Sequence, residues 1–234
     1  MSSAKTESVQ SAIGAGIYSP AEAARYTGIA SGKIIRWFRG HQSLSGVYSA
    51  LWQPKFESSE GQLFLSFRDL AEIRVAEALV KIAGLSPQKV RKAIILAREM
   101  LNDSRPLSSA RFKTDGRNVF LKIANEGEDD ERNQLLDIFR SQFAFARIVE
   151  PSLKDLDYID TVPTKWWIAG REKKIVIDPK RAFGRPIDEP TSVPTSVLAN
   201  AFIAEGGFAK AARAYAVPVT SVRRAVEFEK RLAT

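Results

Sequence analysis

The sequence predicts a mainly α-helical protein with small β elements (α+β). Three observations carry that prediction. Apolar residues recur at three- and four-residue spacing along most of the chain. The β-like runs are few, short and bounded by turn residues. A proline-rich stretch then separates a long front part from a compact helical end. The 234 residues are 44% apolar and 26% charged, enough to bury a core and ordinary for a globular protein. The expected organisation is a mobile tail over 1–14, a front domain over 15–160 and an end domain over 161–234.

The front domain opens on a helix–turn–helix pattern at 19–39. Ser19 is placed to cap a helix, Pro20 suits its first position, and Glu22 stands three residues after the cap. Thr27-Gly28-Ile29 breaks that helix. Gly28 can take positive φ and Ile29 can plug the corner. Ser31 then reads as the cap of a second helix. Its Ile34, Trp37 and Phe38 share a core-facing stripe, which leaves Lys33, Ile35, Arg36 and Arg39 outward. Residues 40–62 read as a connector. Leu63–Phe67 reads as a short strand, Asp69–Ala83 as a helix ended by Gly84, and Ser86 as the start of another. Leu107–Lys113 and Asn118–Ala124, flanking Thr114-Asp115-Gly116-Arg117, predict a β-hairpin, because Asp-Gly between such runs favours a tight turn.

Lys174–Ile177 reads as a strand. The stretch with Pro179, Gly184, Pro186, Pro190 and Pro194 reads as a domain entry or an extended arm. Three helices follow. Val197, Leu198, Ala201 and Phe202 stripe the first, which stops at Gly206-Gly207. Phe208, Ala211, Ala212 and Tyr215 stripe the second, and Ala216-Val217-Pro218 makes the corner. Val219, Val222, Ala225 and Val226 stripe the third. A homeodomain-like three-helix module is the economical account.

Charge points to partners. Lys and Arg number 35 against 27 acids, a formal net charge of +8, which favours a polyanion. Ser31, Lys33, Arg36 and Arg39 are the candidate DNA contacts of the front module. Lys210, Arg213, Thr220, Ser221, Arg223 and Arg224 are those of the end module. There the competing reading is a protein-docking or dimerisation unit with a solvated basic rim. Zero Cys excludes disulfides, thiolate zinc sites and cysteine nucleophiles. The one His, His41, has no identifiable catalytic partner. The acidic run 126–131 lacks calcium-loop spacing, and no phosphate-loop motif occurs. The expectation is a non-enzyme with no cofactor and no metal. Without a long apolar run or a secretion signal, no membrane partner is expected and the location is cytoplasmic.

Two stretches resemble known families. Tyr18–Ile29 followed by Ile34-Ile35-Arg36-Trp37-Phe38-Arg39-Gly40 resembles a MerR-type N-terminal helix–turn–helix. Leu65–Leu70 through Gly84-Leu85-Ser86 resembles the helical continuation of that group. Pro106–Gly116 resembles the hairpin of a subgroup that fronts VapB-type antitoxins. Ile175–Pro179 with Gly184-Arg185-Pro186-Ile187 resembles a domain-of-unknown-function family that accompanies PIN-like toxins. That family continues Gly-Thr-Arg-Ile-Pro, where this chain has Pro190-Thr191-Ser192-Val193-Pro194. The resemblance implies an antitoxin of a type II toxin–antitoxin system. Such a protein inhibits a PIN-domain ribonuclease toxin and represses its own operon as a homodimer on operator DNA. Arg171, Arg181 and Arg185 are the candidate toxin-binding residues, since a guanidinium pairs bidentately with carboxylates. The alternative is a MerR-like transcriptional regulator with no toxin partner.

Overall fold

The computed structural model describes residues 16–43, 46–54, 56–57, 61–126 and 129–233. The expected tail over 1–14 and the side chains of the acidic run 126–131 lie outside the described residues. Helix dominates, with short strands in small sheets, as the composition and spacing predicted. Two compact units divide the chain. The larger holds 18–154 and 158–163, and the smaller holds 16–17, 155–157 and 164–233. Their division runs through one hairpin, β6 (Leu156–Ile159) and β7 (Val162–Trp166). No helix among the described residues is long and apolar enough to cross a membrane.

The larger unit begins with buried Tyr18, the end of β1 (Ile17–Tyr18). Helix α1 (Pro20–Thr27) carries a complete capping box. The Glu22 amide donates to Ser19 Oγ at 3.2 Å, and the Ser19 amide donates to Glu22 Oε2 at 2.9 Å. Gly28 ends it in the left-handed region at φ 72°, and Ile29 is buried in the corner. Helix α2 (Ser31–Arg39) follows. Here one expectation is corrected: Ala30 is the cap residue, and Ser31 is the first helical residue with no side-chain capping bond.

Residues 40–62 are not a plain connector. They hold an antiparallel hairpin, β2 (His41–Ser43) with β3 (Gly46–Tyr48), and then β4 (Phe56–Glu57) paired with β5 (Leu63–Ser66). Gly40 makes the sharp passage from α2 into this hairpin. Its φ is +70°, and a Cβ there would strike the Tyr48 carbonyl. Ser66 caps α3 (Phe67–Lys81), and Ser86 caps α4 (Pro87–Leu101), which ends on left-handed Asn102.

The expected hairpin at 107–124 is absent. Pro106–Ser108 forms a single 3₁₀ turn, and α5 (Ala110–Glu126) runs straight through Asp115-Gly116. The helical period overrides the turn signal. Phe112, Val119, Phe120 and Ile123 fall on one face, and all are buried. Gly116 belongs to that face. It is the small residue that lets α5 approach Phe145 of α7 (Gln142–Leu153), beyond α6 (Asp129–Ile138). Phe112, Phe120, Phe139 and Phe145 form the aromatic centre of this bundle, Phe120 and Phe139 stacking at 4.2 Å.

In the smaller unit β8 (Ile175–Ile177) pairs antiparallel with both β7 and β9 (Pro186–Asp188). The proline-rich stretch is therefore built into a sheet and is not a free arm. Helices α8 (Thr195–Ala204), α9 (Phe208–Ala214) and α10 (Val219–Leu232) enclose Leu198, Ala201, Ala211, Ala212, Val222, Ala225 and Val226.

Gly116→Ala tests the helical reading of 110–126. In an open helix the change stabilises, because alanine has the higher helix propensity. Here its Cβ would lie 2.6 Å from Phe145 Cζ and 2.9 Å from Phe112 Cδ2. The expected result is a loss of about 1–3 kcal/mol in denaturant unfolding.

Candidate nucleic-acid interface

Helix α2 divides its residues sharply. Ile34, Trp37 and Phe38 are buried, whereas Arg36 and Arg39 are exposed and Ile35 lies partly open between them. Two aromatic contacts fix this orientation. Trp52, from the loop after β3, stacks on Phe38 at 5.2 Å and meets Trp37 edge-on at 6.0 Å. The Leu51 amide also donates to the Trp37 carbonyl at 2.7 Å. Trp52 is itself anchored, because its Nε1 donates to Glu72 Oε2 at 2.9 Å.

Glu72 lies on α3, fully buried, and its other oxygen accepts from the Ser108 amide at 2.6 Å. Burial pushes its carboxyl up to about 7, and those two N–H donors with the Arg105 and Arg68 charges pull the other way. Asp69, one turn earlier, is also buried. It accepts from Arg105 Nε at 2.5 Å and from the Ser66 amide at 2.7 Å. Arg105 reaches on to the Gln53 carbonyl at 2.8 Å. Arg68 forks onto both oxygens of Asp103 at 2.8 Å, and these contacts hold the Asp103 carboxyl below its ordinary range against its burial. The segment after the β2–β3 hairpin is thus tied to α3 at Trp52 and at Gln53.

The β2–β3 hairpin follows α2 directly through Gly40. His41 stacks on Tyr48 at 4.7 Å with rings within 7° of parallel, and Val47 is exposed. The reading of 40–62 as a connector missed the hairpin around His41. The signals were Gly40 and Gly46 bracketing the segment and the Val47-Tyr48 pair. Beside the turn between α1 and α2 lies a cleft of about 300 Å³, lined by Thr27, Ile29, Arg74, Glu77, Lys81 and Ser152 among others.

The expected contacts of the front module separate into two groups. Arg36 is exposed and Arg39 donates to the Gly61 carbonyl, with its side chain still open to solvent. Ser31 is half-buried. Lys33 is not an outward cation. Its Nζ pairs with Glu77 Oε2 at 2.5 Å and lies 5.0 Å from the Trp37 ring centroid.

The end module needs a similar correction. Ser221 is fully buried, not outward. Arg224 pairs with buried Asp188 at 2.6 Å and tucks against Ser221 Oγ at 3.1 Å, tying α10 to β9. Sequence periodicity had placed both on the exposed face. Lys210, Arg213, Thr220 and Arg223 are exposed, with the Arg223 guanidinium 4.5 Å from the Phe208 ring.

Two of the three arginines assigned to a toxin contact already have partners. Arg171 pairs with Asp157 at 2.5 Å and covers Trp167, and Arg181 pairs with Asp178 at 2.9 Å and reaches Ser192 Oγ at 3.0 Å. Arg185 is exposed and has no ion pair among the described residues. No cluster of His, Asp or Glu among the described residues could hold a metal ion.

No family model and no curated protein matches the chain. Among solved structures it is similar to the crystal structure of Rv2018 from Mycobacterium tuberculosis, with a TM-score of 0.64. The two are 20% identical, over 89% of this chain and 96% of that one. At that identity the likeness establishes a shared fold.

The buried Glu72 makes a prediction about pH. A carboxyl whose folded pKa lies above its unfolded value binds its proton more tightly when folded. Its contribution is complete below about 4.5 and is lost as pH rises to about 7. Relative to Glu72→Gln, which cannot ionise, the wild type is expected to lose stability between pH 5 and pH 8, by on the order of 3 kcal/mol. Thermal unfolding of both proteins across that range measures it. A difference that does not change with pH contradicts the assignment.

Proposed function

We propose that this protein is a DNA-binding antitoxin. In this reading the larger unit binds operator DNA, and the smaller unit docks and inhibits a PIN-domain ribonuclease. The chain acts as a homodimer on a two-fold operator and represses its own expression.

The observation that carries the DNA half is the geometry of α2. Its three large apolar side chains are buried and its Arg36 and Arg39 are exposed, with a β-hairpin following it directly in the chain. A helix presented in this way can enter the major groove while the hairpin meets the flanking backbone. Arg36 and Arg39 can contact guanine edges or phosphates, and neutralising phosphates releases counterions. One small module makes few contacts, so specific affinity calls for two copies on half-sites about one helical turn apart.

The antitoxin half is supported by the resemblance at Ile175–Pro179 and Gly184–Ile187. It is also supported by the exposed Arg185, a guanidinium suited to an acidic nuclease site. The cleft beside the α1–α2 turn favours the second reading, a regulator that binds a small molecule and has no toxin partner. Purification from the native host separates the two. The antitoxin reading expects a small metal-dependent ribonuclease to co-purify, and a chain that emerges alone supports the regulator.

For the DNA half, Arg36→Ala and Arg39→Ala should each weaken binding to the DNA upstream of the coding region. Each should also reduce the slope of log affinity against log salt by about 1. Titrations from low to high salt measure this. Unchanged affinity and slope would remove α2 as the reader.

A further inference from the structure

Between β8 and β9 the backbone does something costly. Ala182, Phe183 and Gly184 are three consecutive residues in the left-handed region, at φ 47°, 56° and 79°. Only glycine adopts that conformation freely, and here two of the three carry side chains. The segment is nevertheless held firmly. The Lys180 amide donates to Asp178 Oδ1 at 3.0 Å, and the Arg181 amide donates to the Asp178 carbonyl at 2.9 Å. The Arg181 side chain bridges Asp178 and Ser192. The Gly184 amide closes on the Arg181 carbonyl at 2.9 Å, and the Arg185 amide closes on Ala182 at 3.1 Å. Strain maintained by so many braces is characteristic of binding and switch sites.

The strained turn displays one side chain. Phe183 is 88% exposed, the most exposed large apolar residue among those described. Along the segment 178–188 the exposed charges have one sign. The acids of the segment 178–188, Asp178 and Asp188, are buried and paired with Arg181 and Arg224. The exposed ions are Lys180 and Arg185, on either side of Phe183. A rigid aromatic knob flanked by cations fits an apolar protein pocket with a carboxylate rim. Nucleic acid fits less well, because only two exposed cations accompany the ring where a phosphate backbone presents a continuous array.

We propose that Phe183 is the anchor by which the smaller unit docks a partner protein. It fills an apolar pocket while Arg185 pairs with carboxylates at the pocket's edge. Arg171 and Arg181 serve the fold of this unit. The proposal deepens the reading above. It rests on this unit's binding a protein, and not on that protein's being a nuclease.

The test places the photo-crosslinking residue p-benzoylphenylalanine at Phe183 of the full chain in the native host. The exposed Phe143 serves as the control position. The expected result is one protein adduct at position 183 and not at 143. Its crosslinked segment should carry Asp or Glu beside apolar residues, and Arg185→Glu should abolish it. With the purified partner, Phe183→Ala should weaken binding roughly tenfold to a hundredfold, and Phe183→Trp should retain most of it. Both positions are exposed, and matching circular dichroism spectra establish that the variants fold. An adduct to nucleic acid, to a second copy of this chain or to nothing overturns the proposal. Recovery of a nuclease that binds Phe183→Ala as tightly as wild type overturns this proposal alone and leaves the antitoxin reading standing.

Discussion

The larger unit depends on Trp52. Its indole ring packs against Phe38 and Trp37, and its N–H is spent on the buried carboxyl of Glu72. An indole so placed adds apolar area and a directional bond at once. It fixes how α2 is rotated, and that rotation decides which residues face solvent. Had α2 turned by a third of a revolution, Arg36 would compete for the interior with Trp37. The carboxyl that receives the indole is costly to bury, and the Ser108 amide and two nearby guanidinium groups offset the cost.

The same logic operates in the smaller unit with different residues. Asp188 is buried on β9 and collects Arg224 from α10 and the Thr191 hydroxyl. Asp178 collects Arg181. These pairings use up the acids of the segment, so the charge left at its surface is positive. The interior of this unit thereby shapes what its surface can bind.

Much of the helical framework was legible because its signals are local. Ser19, Pro20, Glu22 and Gly28 mark α1 within ten residues, and Gly84 and Ser86 mark the end of α3 and the start of α4 in the same way, whereas the Ser66 cap was hidden inside the expected strand 63–67. The apolar stripe of α2 told which side is core. What periodicity lacks is the partner of a polar residue. Lys33 faces outward by spacing, yet Glu77, far along the chain, takes its charge. Arg224 was misread for the same reason, since Asp188 draws it inward, where it meets the buried Ser221 hydroxyl. The Asp115-Gly116 pair misled in another way: it carries a turn signal, but glycine was required there by Phe145. The β2–β3 hairpin escaped notice because three-residue strands carry too little pattern to stand out.

The central claim is that the exposed face of α2 lies against DNA. The chain has no cysteine, so a single one introduced as Ile35→Cys can carry an iron–EDTA cleavage reagent without background labelling. Bound to the DNA upstream of its coding region, the conjugate should cut that DNA in two compact clusters about one helical turn apart. Cleavage spread evenly along the DNA, or absent while the complex stays intact, would contradict the account.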